Sequence, residues 1–287
     1  MDIKTTILCA LFFAGAVTPT VSHAESAIRT VTSADGVPIQ YEVSGSGEPT
    51  LLMVHGWTNN RTFWEPHTTA LARSNRVVAV DLPGFGDSGM DRESWTMEAY
   101  GQDVAAVVRS LPNTKVVVVG FSMGGAAALE AARLVPDRMT GVILVDTLKN
   151  PDAKYSERSI RSILDQERSS WHDPSALRAD FSPDAPDSLI RRYLDATPTS
   201  PPDHWWPILS DFFRWSSTRF PEMRHELRVP VVAINAEKPA TDIDAWQRIS
   251  PGFKLATVKG VGHLGVIWEK TGEFDAQLLE FVEGFAH

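Results

Sequence analysis

Apolar residues gather in short continuous runs, separated by longer stretches where they recur every three or four positions. Leu51-Leu52-Met53-Val54, Val77 to Val80, Val116 to Val119 and Val142 to Val145 are runs of the first kind. A strand wetted on one face alternates, whereas a run that is apolar throughout is buried on both faces and predicts a parallel strand. Val229 to Ile234 and Lys254 to Val258 predict two more strands. Ile28 to Val43 does alternate, around Ala34-Asp35-Gly36, and predicts a β-hairpin. Helices are expected over 62–72, over 96–111, in the Ala-rich stretch after Gly124 and over 274–285. Strands alternating with helices predict an α/β fold, a mostly parallel sheet with helices on both faces.

One segment breaks this rhythm. Residues 148–227 contain no clear buried strand and are charged, with prolines and aromatic pairs such as His204-Trp205-Trp206-Pro207 and Phe212-Phe213-Arg214-Trp215. The segment lies between two expected core strands, so it is an insertion. Ligands in sheets of this kind bind at the carboxyl ends of the strands, and an insertion that follows a strand's carboxyl end is placed to roof such a site. The expected organisation is a core of residues 25–147 and 228–287, with a helical cap over 148–227.

The first 24 residues read as an export signal. Met1-Asp2-Ile3-Lys4 is a short polar start, Ile7 to Val17 is apolar, and Ser22-His23-Ala24 has the small-x-small form of a cleavage site. The apolar run is too short to span a bilayer. The expectation is therefore a periplasmic or secreted protein cleaved after Ala24, with no membrane span in the mature chain. The single cysteine, Cys9, falls inside that segment, which leaves the mature chain without a thiol for disulfide, metal or nucleophilic chemistry. A net charge of −9 without any basic run argues against nucleic acid and anionic membrane surfaces as partners. A small molecule is the expected partner. No His, Asp or Glu cluster has metal-ligand spacing, so no metal or other cofactor is expected.

Chemistry concentrates where the third apolar run ends. Val116 to Val119 leads into Gly120-Phe121-Ser122-Met123-Gly124, and an Ala-rich helical stretch follows. A strand, a Gly-x-Ser-x-Gly turn and a helix in that order present a serine hydroxyl at the tip of a sharp, strained turn. Three further motifs accompany it in a fixed order: His55-Gly56-Trp57 after a strand, Asp81-Leu82-Pro83-Gly84-Phe85-Gly86-Asp87-Ser88 after another, and Gly260-Val261-Gly262-His263 after the last.

Together these motifs, over residues 28 to 287, resemble the α/β-hydrolase superfamily. The resemblance implies a serine hydrolase acting on a carboxylic ester or a close relative. Ser122 would be the nucleophile and His263 the base, with the backbone amides of Trp57 and Met123 receiving the oxyanion. A serine at the elbow argues against relatives that attack with a carboxylate. His55 and the Asp81 to Ser88 turn would be structural. The acid departs from the commonest pattern, because Ala236-Glu237-Lys238-Pro239 puts a proline where an aspartate is expected. Asp146, after the Val142–Val145 run, is the first candidate, as some members place the acid there; Asp242, and then Asp244 or Glu237, are the alternatives. Phe121, Trp205, Trp206, Phe212, Trp215 and Trp268 are candidate pocket walls, with packing of the cap on the core as the other reading of the tryptophans and of Phe212. Lactonase, amidase and lipase chemistry remain alternatives within the fold, and a non-catalytic ligand-binding protein remains one outside catalysis.

Overall fold

A computed structural model describes residues 26–112 and 114–285; the expected export segment lies outside the described residues. In chain order the strands are β1 (Ala27–Thr32), β2 (Pro38–Ser44), β3 (Thr50–Val54), β4 (Arg76–Val80), β5 (Val116–Phe121), β6 (Met139–Val145), β7 (Val231–Ala236) and β8 (Leu255–Val258). They form one sheet in the order β1-β2-β4-β3-β5-β6-β7-β8. The β1–β2 hairpin and its pairing with β4 are antiparallel, and every pairing from β4 to β8 is parallel. All residues of β3 and β5 are buried, as expected of strands covered on both sides.

The core helices are α1 (Glu65–Leu71), α2 (Met97–Ser110) and α3 (Met123–Leu134). Between β6 and β7 come α4 (Glu157–Ser169), α5 (Pro174–Leu177), α6 (Asp187–Ala196), α7 (Trp205–Ser217) and α8 (Arg219–Met223). The chain closes with α9 (Ile243–Ile249), α10 (Gly265–Trp268) and α11 (Thr271–Gly284). One face of the sheet packs with Val104 of α2, Ala127 of α3 and Trp215 of α7. The other packs with Leu71 of α1 and with Phe274, Leu278 and Val282 of α11. No helix among the described residues is long and apolar enough to cross a membrane.

Two element boundaries differ from the sequence expectation for identifiable reasons. The helix expected over 62–72 starts as a short 3₁₀ turn, Arg61–Trp64, capped by the Asn60 side chain, and becomes α-helical only at Glu65. Pro66 sits in the first α-turn, where its missing N–H costs nothing. The strand expected at Val229 begins instead at Val231, because Pro230 has no N–H to give a ladder; its carbonyl accepts from Val142 N at 3.0 Å.

The helical segment between β6 and β7 is tied to the core through polar contacts at both ends. Trp215 Nε1 on α7 donates to Glu130 Oε1 on α3 at 2.9 Å, and the Asp211 carboxylate accepts from Met97 N at the start of α2 at 2.7 Å. Farther along the roof, Asp180 O accepts from Leu264 N at 2.9 Å, and Glu269 accepts from Ser182 N at 2.7 Å. A cap docked in this way stands directly over the loop that carries His263.

Candidate active site

Ser122 is the hinge between β5 and α3, with φ 51° and ψ −121°. A non-glycine residue in this region is strained and is held there only by its surroundings. Here the neighbours leave no alternative. A Cβ on Gly120 would lie 2.5 Å from Gly124 O, and one on Gly124 would collide with the His55 carbonyl. Strand and helix therefore pass with only glycine between them, and the serine is pushed to the tip of the turn.

His263 lies in the loop between β8 and α10, and its ring stacks on Phe121 with centroids 4.5 Å apart and planes 28° from parallel. Its Nδ1 donates to Asp146 Oδ2 at 2.6 Å, which leaves Nε2 as the basic nitrogen. About a third of its side chain remains exposed. Ser122 and His263 open onto the same cavity.

Asp146 follows β6 in a left-handed conformation, φ 45°. Its Oδ1 accepts from Ala236 N at 2.7 Å and pairs with Lys149 Nζ at 2.8 Å. Burial works to raise the pKa of this carboxyl. The hydrogen bond and charge of His263, reinforced by Lys149, outweigh that and hold it below the ordinary carboxylate value. Lys149 is itself fixed, donating to Lys238 O at 2.9 Å and Ala236 O at 3.2 Å. The structure thus brings Asp146 to His263 and leaves the other acids elsewhere. Asp242 caps α9, its Oδ1 accepting from Ala245 N at 2.9 Å; Asp244 lies exposed in the first turn of that helix, and Glu237 is exposed beyond β7.

The two amides expected to receive an oxyanion, those of Trp57 and Met123, lie at the Gly56 and Ser122 turns. Met123 is the first residue of α3, so its N–H has no acceptor within the helix. Among the described residues, neither this amide nor that of Trp57 donates to another backbone group. Gly56 lets the chain run against the elbow, since a Cβ there would lie 3.1 Å from Ser122 Cβ. His55 clamps the same turn. Its Nε2 accepts from Leu82 N at 3.0 Å and its Nδ1 donates to Gly56 O at 2.7 Å, and burial lowers its pKa, so the ring stays neutral. The Asp81 carboxylate accepts from Asp87 N at 2.9 Å, and Ser88 Oγ donates to Asp81 O at 2.6 Å, which knits that turn to itself.

The cavity above Ser122 has a volume of about 430 Å³. Trp57, Phe121 and Phe212 line it. Four other candidate wall residues do not, and each has a different task. Trp205 is buried and donates to Gly84 O at 3.1 Å; Trp215 is buried and donates to Glu130. Trp206 packs beside Trp57 and Trp171, with the Arg168 guanidinium over its outer face. Trp268 donates to Phe63 O at 3.1 Å and lines a neighbouring cavity of about 140 Å³. Aromatic identity alone could not separate these roles, since each indole N–H that is buried needs a backbone or carboxylate partner that only the fold supplies. Residues that sequence reasoning missed are Trp171, Glu167, Asp180 and Tyr193 in the cavity wall, and Lys149 behind Asp146. Among the described residues, no group of three or more His, Cys, Asp or Glu is arranged to hold a metal ion.

Residues 51–276 match the sequence model of the alpha/beta hydrolase family. The chain belongs to this family. Among curated relatives, it is 31% identical over 141 residues to a pimeloyl-[acyl-carrier protein] methyl ester esterase of Edwardsiella ictaluri, which covers 49% of this chain and 51% of that protein. It is 34% identical over 105 residues, 37% of this chain, to the dihydrolipoyllysine-residue acetyltransferase component of an acetoin cleaving system of Pseudomonas putida, of which it spans 28%. The chain thus spans about half or less of these curated relatives. A thermophilic esterase from Thermogutta terrifontis superposes with a TM-score of 0.75 at 23% identity, covering 90% of this chain and 99% of that one; at that identity the likeness speaks for the fold. This alpha/beta hydrolase carries its helical roof between β6 and β7, within the matched residues.

Proposed function

We propose that this alpha/beta hydrolase cleaves carboxylic esters through an acyl-enzyme formed on Ser122. The observation that carries the reading is the pairing of a serine forced to the tip of a strained turn with a histidine held by Asp146, both opening on one cavity. A serine hydroxyl is a weak nucleophile until a base takes its proton. In the proposed reaction His263 Nε2 accepts the Ser122 proton as Oγ attacks the ester carbonyl, and the Trp57 and Met123 amides receive the oxyanion. Asp146 keeps the imidazole in the required tautomer and stabilises the imidazolium. The intermediate collapses, the alcohol leaves with the proton from His263, and a water deprotonated by His263 releases the acid. Ester cleavage by the Edwardsiella relative, as its name gives it, supports this choice of substrate class.

The test is hydrolysis of p-nitrophenyl esters from acetate to laurate. Wild type is expected to turn over, with Ser122→Ala inert and Ser122 labelled by a fluorophosphonate. Absence of both turnover and labelling would sink the reading in favour of a non-catalytic ligand site. We further propose that the protein works outside the cytoplasm, a reading supported by the apolar segment and cleavage-site form of residues 1–24. Amino-terminal sequencing of the protein from its native host should begin at Glu25; a chain retaining Met1 in the cytoplasm contradicts it.

A further inference from the structure

The cavity over Ser122 says something about the substrate itself, provided that the serine-hydrolase reading above holds. Aromatic rings make up much of its wall, with Trp57, Trp171 and Phe212 among them. Two cap carboxyls stand in the same wall: Glu167 from α4 and Asp180 from the turn after α5. No lysine or arginine lines the cavity among the described residues. A third acid, Asp173, is already engaged, its Oδ1 accepting from Ser175 N at 2.8 Å.

Glu167 and Asp180 have no such partner. Burial is the leading influence on each and pushes both carboxyls above their ordinary value; the only other influences are charges at a distance. The charge of Asp180 raises Glu167 further, that of Asp146 raises Asp180, and His263 pulls both back. Both side chains are half-buried, and a half-buried carboxyl without a donor or a salt-bridge partner beside it is a ready acceptor for a cationic ligand. An independent observation agrees. Asn59 is 7% exposed and lines the same cavity. Its Nδ2 donates to the Tyr193 hydroxyl at 3.0 Å, but its Oδ1 has no hydrogen-bond partner among the described residues. The wall therefore offers acceptors and negative charge, backed by ring faces that attract cations. A ligand with positive charge and several N–H donors answers all three features, and an anionic ligand is opposed by all of them.

We propose that the substrate is an ester carrying a protonated amine on the arm that lies under the cap, with Glu167 and Asp180 as the groups that select for its charge and Asn59 as a neutral acceptor. Protonated amines thus enter where no protein cation stands, and the substrate itself completes the ion pairing of the roof. Selection acts on binding and orientation of the substrate; the bond-making steps at Ser122 are unchanged.

The test compares isosteric p-nitrophenyl esters of ω-aminohexanoic acid, heptanoic acid and the half-ester of pimelic acid, which end in an ammonium, a methyl and a carboxylate. A second pair places the ammonium or methyl on the alcohol arm of an acetate ester. The expected result is a kcat/KM at least tenfold higher for the ammonium ester than for its methyl isostere on one of the two arms, with the carboxylate ester slowest. In Asp180→Asn with Glu167→Gln that ratio should fall to about one, while fluorophosphonate labelling of Ser122 shows the variant folded. Ser122 labelling with no preference for the ammonium on either arm overturns the amine proposal alone. Loss of labelling in the wild type overturns the serine-hydrolase reading beneath it. A preference that survives the double substitution shows that other residues select the charge and removes Glu167 and Asp180 from the proposal.

Discussion

The floor and the roof of the cavity are built on different terms. The floor is made by backbone: the Ser122 turn, the Gly56 approach and the free amides of Trp57 and Met123 stand on glycines and strand ends that tolerate few other residues. The roof is made by side chains on the inserted helices; α4, for instance, buries only Ile160 and Leu164. Precise placement of a nucleophile and its oxyanion donors demands rigid elements, whereas the shape and charge of a pocket change with any helix residue that faces it. The difference predicts that floor substitutions act on the rate of every ester alike, and that roof substitutions act on the choice among esters.

The largest test of that contrast is Ser122→Ala. It should lower kcat by roughly 10⁴-fold or more for all chain lengths. A residual rate that varies with chain length would blur the division. Asp146→Asn should follow, with a loss of up to roughly 10⁴-fold in kcat, while Asp242→Ala leaves the rate intact and costs about 1 kcal/mol of stability through its lost helix cap.

Lys149→Met should have a smaller effect on rate and a visible one on acid stability. The folded pKa of Asp146 lies below its unfolded value, so its carboxylate contributes stability that is fully present above the unfolded pKa and is lost as pH falls through the folded one. Removing Lys149 removes one cause of the lowering, and acid unfolding followed by circular dichroism should then begin at a higher pH. An unchanged acid transition would show that Lys149 does not hold the carboxylate.

At the roof, Phe212→Ala enlarges the cavity wall and should move the p-nitrophenyl optimum to longer chains, with a change of only several-fold for acetate. Trp215→Phe, on the core-facing side of α7, should leave the chain-length profile alone. It should cost about 1–3 kcal/mol in urea unfolding, from the lost hydrogen bond to Glu130 and the smaller ring. If Trp215→Phe changed selectivity as Phe212→Ala does, the distinction between wall and packing residues would fail.

The same contrast explains what could be read in the chain. The sheet was legible because β3, β4, β5 and β6 are continuous apolar runs, and the candidate residues Ser122 and His263 stood out because their turns carry glycine at fixed neighbouring positions. The acid was harder. Asp146 and Asp242 are both aspartates near strand ends, and what separates them is spatial: Ala236 N, Lys149 Nζ and His263 Nδ1 converge on the first, and the N-terminus of α9 takes the second. The roof was least legible. Trp205, Trp206, Trp215 and Phe212 fall within eleven residues of one another, yet only Phe212 reaches the cavity. The carboxyls that do reach it sit in charged stretches that look like any solvated helix surface, because their partner-free state exists only once the cap is folded.

The most direct measurement is pre-steady-state hydrolysis of p-nitrophenyl acetate by wild type, Asp146→Asn and Asp242→Asn in parallel. Wild type and Asp242→Asn should show a burst of nitrophenol matching the enzyme concentration, or equal turnover if deacylation is fast, and Asp146→Asn should lose it. Loss of acylation in Asp242→Asn with activity preserved in Asp146→Asn would contradict the site described above.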